Sequence, residues 1–396
     1  SGWDVCLTED APPPELLKLL SEHPGHLILI SEKRWRPRAV SRSRHFFWLE
    51  FALPSTGQRT HLLSHFLTAE ETAVSPENLA LLAGQFKLTT EQLRDLVSTA
   101  RDMAAQNGRF LQNQDLFAAA RAHSNPRLAA LAKKITPRYT WQDLVLPADQ
   151  VSLLHEMVQT VRSRPQVLET WGVGKKLSAS AGVTALFFGE PGTGKTMGAE
   201  VMAGELGLDL YKIDLSTMVS KYIGETEKNL EKIFNEAESS NAILFFDEAD
   251  AIFGKRSEVK DAHDRYANIE ISYLLQRMES YDGVTILATN LRNNLDDAFM
   301  RRLQFALDFP FPKVADRLHI WQTLFPSTVP RDPDLDLALM AERFEIPGGN
   351  IRNIIVTAAY LAASNGQVVT MAHLMHGTHR ELQKMGRLVD ERSLEI

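Results

Sequence analysis

The sequence predicts an α/β fold: a parallel sheet with a C-terminal helical lid, preceded by the rear part of a second, degenerate unit that has a lid of its own. Two observations carry that prediction. The first is a series of buried-strand patterns: ALFFG (185–189), ILFFD (243–247) and TILATN (285–290) are continuous apolar runs ending in glycine, acid or amide. Strands covered on both faces read this way, with polar residues held back to the carboxyl ends where ligands sit. The second is an internal repeat. Displaced by 258 positions, residues 16–121 align with 274–379 without a gap, so that Phe51 meets Phe309, Pro54 meets Pro312 and Arg59 meets Arg317. A register kept over that length marks a duplicated domain.

In chain order, LLKLLSEHPGHLILIS (16–31) lies over LLQRMESYDGVTILAT (274–289): an amphipathic helix, a turn with Gly25 over Gly283, then an apolar strand. FFWLEFALPSTGQR (46–59) lies over QFALDFPFPKVADR (304–317), a strand, a proline-marked turn and the start of a helix. NLALLAGQFKL (78–88) and TARDMAAQNG (99–108) lie over DLALMAERFEI (336–346) and TAAYLAASNG (357–366), the helices of a lid. Leu29, Phe51, Leu79, Leu81 and Phe86 are expected at core positions. An α/β pattern from 138 to 273 precedes the second copy but only residues 1–15 precede the first, so the first unit is expected to open partway through. The expected domains are the end of a degenerate core at 1–67, its lid at 68–136, a complete core at 138–325 and its lid at 326–396.

At 396 residues the chain has room for two domains or more, and 44% hydrophobic with 23% charged residues excludes a disordered chain. A net charge of −7 argues against a general polyanion binder. Cys6 is the single cysteine, so no internal disulfide is expected. No apolar run approaches the roughly 18 residues of a membrane span, and SGWDVCLTED has no signal-peptide character, so a cytoplasmic protein with no membrane partner is expected.

Within the complete unit, ALFFGEPGTGKTMGAEVMAGEL (185–206) is a strand, a GxxxxGKT loop and a helix, which is a phosphate-binding loop in its required context. Gly192 and Gly194 let backbone N–H groups turn inward around phosphate oxygens, and the helix start adds positive potential. Lys195 is expected at the β and γ phosphates and Thr196 at a magnesium ion, with Pro191, Thr193 and Met197 completing the cradle. Asp247 is expected to hold the magnesium ion through its water shell and Glu248 to polarise the attacking water. Asn290 either shares that orienting work or caps the following turn. Arg301 and Arg302 form either a solvated face or a pair presented to the γ-phosphate of an adjacent subunit.

With those elements in this order, the chain resembles the AAA family of the AAA+ ATPases, P-loop NTPases, and residues 138–396 match one complete module. The resemblance implies ATP and Mg2+ as ligands and a homo-hexameric ring. RYTWQDLVLP (138–147) is similar to the family's entry segment, whose backbone near Leu144 and Val145 flanks the adenine. The double arginine resembles the katanin and spastin branch, as does PGGNI (347–351), which puts Gly349 near the nucleotide and no sensor arginine at Asn350. Arg352 is read as structural because its repeat partner Arg94 is also arginine. In SKYIGETEKNLEKIF (220–234) the resemblance assigns Lys221, Tyr222, Ile223 and Gly224 to a pore loop that grips polypeptide; an aromatic beside an apolar residue also fits a core. Together with KKITPRYTWQDLVLP and AHDRYANIEISYLLQRME, the pattern most resembles the ATPases of extracellular contractile injection systems, of the antifeeding-prophage and virulence-cassette type. That implies ATP-driven remodelling or threading in particle assembly or cargo loading, with a polypeptide client or injection-particle component as partner. A nucleotide-controlled scaffold and a nucleic-acid translocase stay as alternatives.

In the first copy Glu32 stands opposite Asn290 and Ser43 opposite Arg301, Arg44 matches Arg302, and the counterparts of Lys195 and Asp247 would precede residue 1. A unit kept for architecture and not for hydrolysis is expected. The basic run KRWRPRAVSRSR (33–44) fits a subunit contact, a solvated loop or a nucleic-acid stripe; HLMHGTH (373–379) has metal-like spacing without a carboxylate or cysteine partner.

Overall fold

The computed structural model describes residues 3–7, 12–31, 45, 47–67, 74–124, 128, 131–173, 182–218, 225–238, 242–251, 262–290, 300–364 and 368–387, with 5, 124, 169, 251 and 262–270 as backbone alone. Two compact units divide the chain, residues 1–52 and 53–396. The smaller holds a 3-10 turn, Trp3–Cys6, and helix α1 (Pro14–Glu22). Trp3 and Leu17 are buried together, with Leu16 and Leu20 packed around them, and the Ser31 hydroxyl donates to Asp4 Oδ1 at 2.6 Å.

Six strands make one sheet in the larger unit: β1 (Lys133–Ile135), β2 (Val183–Phe188), β3 (Leu210–Asp214), β4 (Ile243–Asp247), β5 (Val284–Thr289) and β6 (Phe305–Asp308). Their order is β1-β3-β4-β5-β2-β6, parallel throughout except for β1, an antiparallel edge on β3. β1 precedes residue 138, so the sheet begins earlier than the sequence-based boundary. Side chains alternate between two cores. Phe187 and Phe245 face one, Leu186, Phe188, Leu244 and Phe246 the other, so each strand is buried on both faces.

The strands expected at 26–31 and 47–52 do not form, and their apolar residues face solvent: Ile28 and Phe47 are 87% exposed and Phe51 is 93% exposed. Their counterparts explain why. β5 and β6 each hydrogen-bond to β2 and do not pair with each other. Among the described residues no strand takes the part of β2 for the two segments. Leu29 and Phe51 therefore lack the core that their partners Leu287 and Phe309 occupy.

The helical repeat holds at the level of helix ends. Helices α2 (Thr56–Phe66), α3 (Pro76–Gln85), α4 (Thr90–Gln106) and α5 (Asn113–Ser124) form the first lid. Then come α6 (Ala148–Pro165), α7 (Lys195–Leu206), α8 (Glu225–Glu238) and α9 (Ala262–Ser280) around the sheet. The second lid is α10 (Val314–Leu324), α11 (Leu337–Arg343), α12 (Gly348–Ser364) and α13 (Met371–Lys384). Both ends of α10 and α12 lie 258 residues beyond those of α2 and α4. Ser55 with Gln58, and Thr89 with Gln92, close capping boxes at the starts of α2 and α4. Leu79 and Phe86 are buried as expected, Leu81 only partly.

One buried arginine organises each lid. Arg317 donates from Nε to the Ala341 carbonyl at 2.9 Å and from Nη1 to the Pro312 carbonyl at 2.8 Å. Arg59 makes the same two bonds to Ala83 and Pro54. The acceptors are themselves repeat partners. The first lid contributes Leu63, Leu82 and Leu96 to the core that covers one sheet face, whereas the second lid packs on itself around Trp321, Ile351 and Leu374. No helix among the described residues is long and apolar enough to cross a membrane.

Truncating Arg317 to Met removes both donors and leaves two carbonyls of a buried corner unpaired, at about 1–3 kcal/mol each. Denaturant unfolding is expected to show a loss of about 3–5 kcal/mol, with no rescue by Arg317→Lys, because an ammonium cannot reproduce the fixed fork. Arg94→Met, at an exposed side chain, serves as the neutral control; equal midpoints for Arg317→Met and Arg94→Met would show that the corner does not depend on its arginine.

Candidate nucleotide-binding and hydrolysis site

The site forms where β2, β4 and β5 end. Past β2 the backbone turns through Gly189, Gly192 and Gly194, with φ of 147°, 80° and 109°, in the left-handed region that side chains disfavour. Gly194 caps α7, whose first residue is Lys195. At Gly189 a Cβ would lie 2.2 Å from the Phe309 carbonyl oxygen, so this corner has no room for a side chain. Pro191 and Gly192 are exposed, while Thr193, Thr196 and Met197 are half-buried. The Thr193 hydroxyl donates to the Glu190 carbonyl at 2.8 Å, within the loop.

Lys195 is buried, and its ammonium donates to the carbonyls of Gly189 (2.7 Å) and Glu190 (3.0 Å) and to Asn290 Oδ1 (2.9 Å). All three acceptors are neutral. Desolvation pushes the Lys195 pKa down, against the pull of the Asp247 and Asp250 charges. A buried cation whose direct partners carry no charge fits an anionic ligand, and the glycine-lined turn beside it leaves space for phosphate oxygens.

At the end of β4, Asp247 pairs with Lys212 of β3, 2.5 Å from Nζ to Oδ2. Glu248 follows in a left-handed backbone, φ 53°, and is the one non-glycine residue with positive φ among the described residues. Such a conformation costs on the order of 1–3 kcal/mol and is held where the surroundings over-determine it. Its N–H donates to Asp247 Oδ1 at 3.0 Å and its side chain is exposed. Asp250, on a 3-10 turn spanning Ala249–Ala251, accepts from the Asn290 N–H at 2.9 Å, from Asn290 Nδ2 at 3.2 Å and from the Thr289 hydroxyl.

The entry segment and the second lid close on the loop. The Gly349 N–H donates to the Gly192 carbonyl at 2.9 Å, and a Cβ at Gly349 would stand 3.1 Å from Gly192 Cα. A small cleft beside this contact is lined by Val145, Leu146, Pro147, Thr193, Ile320 and Gly348. Leu144 is buried near Gly194. Asn350 is engaged inside the lid, donating to Glu381 Oε2 at 3.0 Å.

Arg301 and Arg302 are exposed, and Arg302 reaches Glu279 at 3.7 Å. Lys221, Tyr222, Ile223 and Gly224, and the basic run 33–44, lie outside the described residues. No cluster of three metal-binding side chains occurs among the described residues; His373 instead accepts from the Thr370 N–H at 3.2 Å, as a helix cap. Two residues of the site were missed in the sequence. Lys212 had a signal, since a lysine within the otherwise apolar strand LYKID needs a partner. Asp250, three residues after Asp247, could be placed only once β4 and β5 were known to be neighbours.

Gly189→Ala is expected to destabilise the protein by about 2–4 kcal/mol through steric overlap and backbone strain and to abolish binding of a fluorescent ATP analogue. Gly57→Ala, where the added methyl meets open space, is expected to be neutral or stabilising by up to about 1 kcal/mol. Wild-type melting and binding by Gly189→Ala would show that the corner yields.

Residues 185–311 match the family model described as ATPase family associated with various cellular activities (AAA). The chain is 36% identical over 193 residues to an uncharacterized AAA family ATPase, y4kL, of Sinorhizobium fredii, covering 48% of this chain and 56% of that protein. It is 28% identical over 277 residues to the proteasome-activating nucleotidase of Aeropyrum pernix, covering 68% and 65%. With the 26S proteasome subunit RPT4 of Saccharomyces cerevisiae it shares 31% identity over 224 residues, covering 54% and 49%. The chain thus spans between about half and two thirds of the length of these relatives. The parallel sheet order and the glycine-rich loop after β2 agree with that family match over residues 185–311.

Proposed function

We propose that the protein hydrolyses ATP, one molecule per chain and cycle, and uses the energy to remodel or thread polypeptide as a homo-hexameric ring. The observation that carries this reading is the convergence at adjacent strand ends of a buried ammonium in direct contact with neutral oxygens alone (Lys195), an amide that faces it (Asn290) and the acidic pair Asp247–Glu248, whose second member has a left-handed backbone. Lys195 and the loop N–H groups hold the phosphates, and Leu144, Val145 and Gly349 border the base and the lid side. Thr196 and Asp247 would hold Mg2+, which supplies charge neutralisation between the β and γ phosphates. Asp247, paired with Lys212 in this structure, would be the carboxylate that helps hold that cation. Glu248 accepts a proton from the attacking water, the water oxygen bonds to the γ-phosphorus, and the bond to the bridging oxygen breaks to leave ADP and phosphate. Arg301 and Arg302, which point outward, serve the neighbouring subunit's γ-phosphate.

Relatives named for proteasome activation support polypeptide as the client class, gripped by Lys221, Tyr222, Ile223 and Gly224. Service to a contractile injection particle, in assembly or cargo loading, is the finer reading and is supported by the linker and pore-segment resemblance. Residues 1–136 form the degenerate unit, whose part is architectural.

Lys195→Ala is expected to abolish ATP binding, and Glu248→Gln to keep binding while turnover falls by at least about 100-fold. Calorimetry that finds two ATP per chain, or full turnover in Glu248→Gln, contradicts the single-site mechanism.

The ring reading has its own measurement. A trans arginine can contribute about 10³–10⁵ in rate, so Arg302→Ala and Lys195→Ala subunits, each inactive alone, are expected to regain part of the hydrolysis when mixed. Co-assembled mixtures that stay inactive count against a shared site.

A further inference from the structure

Asp250 belongs neither to the phosphate loop nor to the acidic pair, yet both oxygens of its carboxylate accept hydrogen bonds from the end of β5. Its Oδ1 accepts from the Thr289 hydroxyl and from the Asn290 N–H, and its Oδ2 accepts from Asn290 Nδ2. We propose that Asp250 is a positioning residue for ATP hydrolysis, acting through Asn290 by fixing which face of that amide meets the reacting groups. The inference rests on the hydrolytic reading of the Lys195 cluster.

The chemistry leaves one orientation. A carboxylate only accepts, so the amide atom toward Asp250 is the NH2 group; an ammonium only donates, so the atom toward Lys195 is Oδ1. Both neighbours select the same rotamer. When phosphate oxygens draw the Lys195 ammonium toward them, the Asp250 side of the clamp is what still holds the amide. One N–H of Asn290 is then tied to Asp250, and the second N–H and Oδ1 keep fixed directions toward the γ-phosphate and its water. Positioning of this kind acts on the transition state more than on ground-state binding.

Asp250→Asn preserves shape and the two bonds to Oδ1, but places an NH2 where Oδ2 accepted, so that two donors oppose each other. Steady-state hydrolysis by the full chain is expected to show kcat lowered about 10–100-fold, the scale for residues that orient a functional ligand, with KM for ATP and the affinity of a fluorescent ATP analogue within about threefold. In an Asn290→Ala background the same substitution is expected to lower kcat no further, because the two residues act as one unit. Turnover near wild type, or an equal fold-loss in the Asn290→Ala background, overturns the inference. If Asp250→Asn fails to bind the analogue, Thr289→Val decides: kcat is expected to fall several-fold at unchanged KM, and an unchanged kcat overturns the inference. A wild-type chain that turns over no ATP overturns the hydrolytic reading and this inference with it, whereas a turning-over wild type matched by its Asp250 variant overturns this inference alone.

Discussion

Strand β2 is the member on which the architecture depends. It hydrogen-bonds to β5 on one side and β6 on the other, and its carboxyl end becomes the phosphate loop. Without it, β5 and β6 have no route into one sheet, and the polar residues that follow them are not gathered. The two copies in this chain make the comparison directly. Where β2 pairs with their strands, Leu287 and Phe309 are fully buried; in the first copy, whose segments pair with no described strand, Leu29 and Phe51 face solvent with much the same flanking sequence. Apolar character alone does not make a strand, because the backbone N–H and C=O groups need a ladder before burial is favourable.

A sheet buried on both faces has few places for charge, and this one puts it at the strand ends. Lys195, Asp247, Asp250 and Asn290 sit one to three residues beyond or at the last paired positions of β2, β4 and β5 or at the start of the helix that follows. Inside that rim the ammonium is balanced indirectly: its contacts are neutral oxygens, and the carboxylates stand one residue away, held by Lys212 and by Asn290. Direct Lys195–carboxylate pairing would neutralise the charge that the proposed reading gives to phosphate binding. The arrangement therefore keeps a cation available at the cost of desolvating it, which is the direction in which its pKa moves.

Much of this was legible in the sequence, and the limits have physical causes. The phosphate loop reads directly because glycine is the residue that tolerates φ values of 80° and 109°. The lid helices read from the repeat, and two of the four pairs keep both ends at the 258 register. The failed strands at 26–31 and 47–52 were a long-range matter: periodicity reports which residues can be buried but not whether a partner strand exists to bury them. Asp250 escaped for a similar reason. Its contacts lie 39 and 40 residues away in sequence and exist only because β4 and β5 are neighbours. Lys212 and Asp247 are likewise far apart in sequence and are joined by the β3–β4 pairing.

The duplicated lid shows how one packing solution serves two ends of a parallel sheet. Both lids keep the buried arginine, because losing it strands two carbonyls whatever the lid is used for. Their attachments differ. The first lid meets the amino ends of the strands: Arg121 donates to the Gly207 carbonyl at 2.9 Å just before β3, and Lys87 joins Arg164 on Asp282 just before β5. Its leucines are continuous with the sheet core, so displacing it would expose apolar surface at about 25 cal/mol per Å². The second lid meets the carboxyl end, through a backbone bond from Gly349 to Gly192, and keeps its hydrophobic core to itself. A rotation of the second lid breaks few contacts and opens no core, whereas the same rotation of the first would open the sheet. The lid beside the phosphate loop is thus the more loosely attached of the two, held there by backbone contact at Gly192, whereas the lid at the far end shares the core of the sheet it covers.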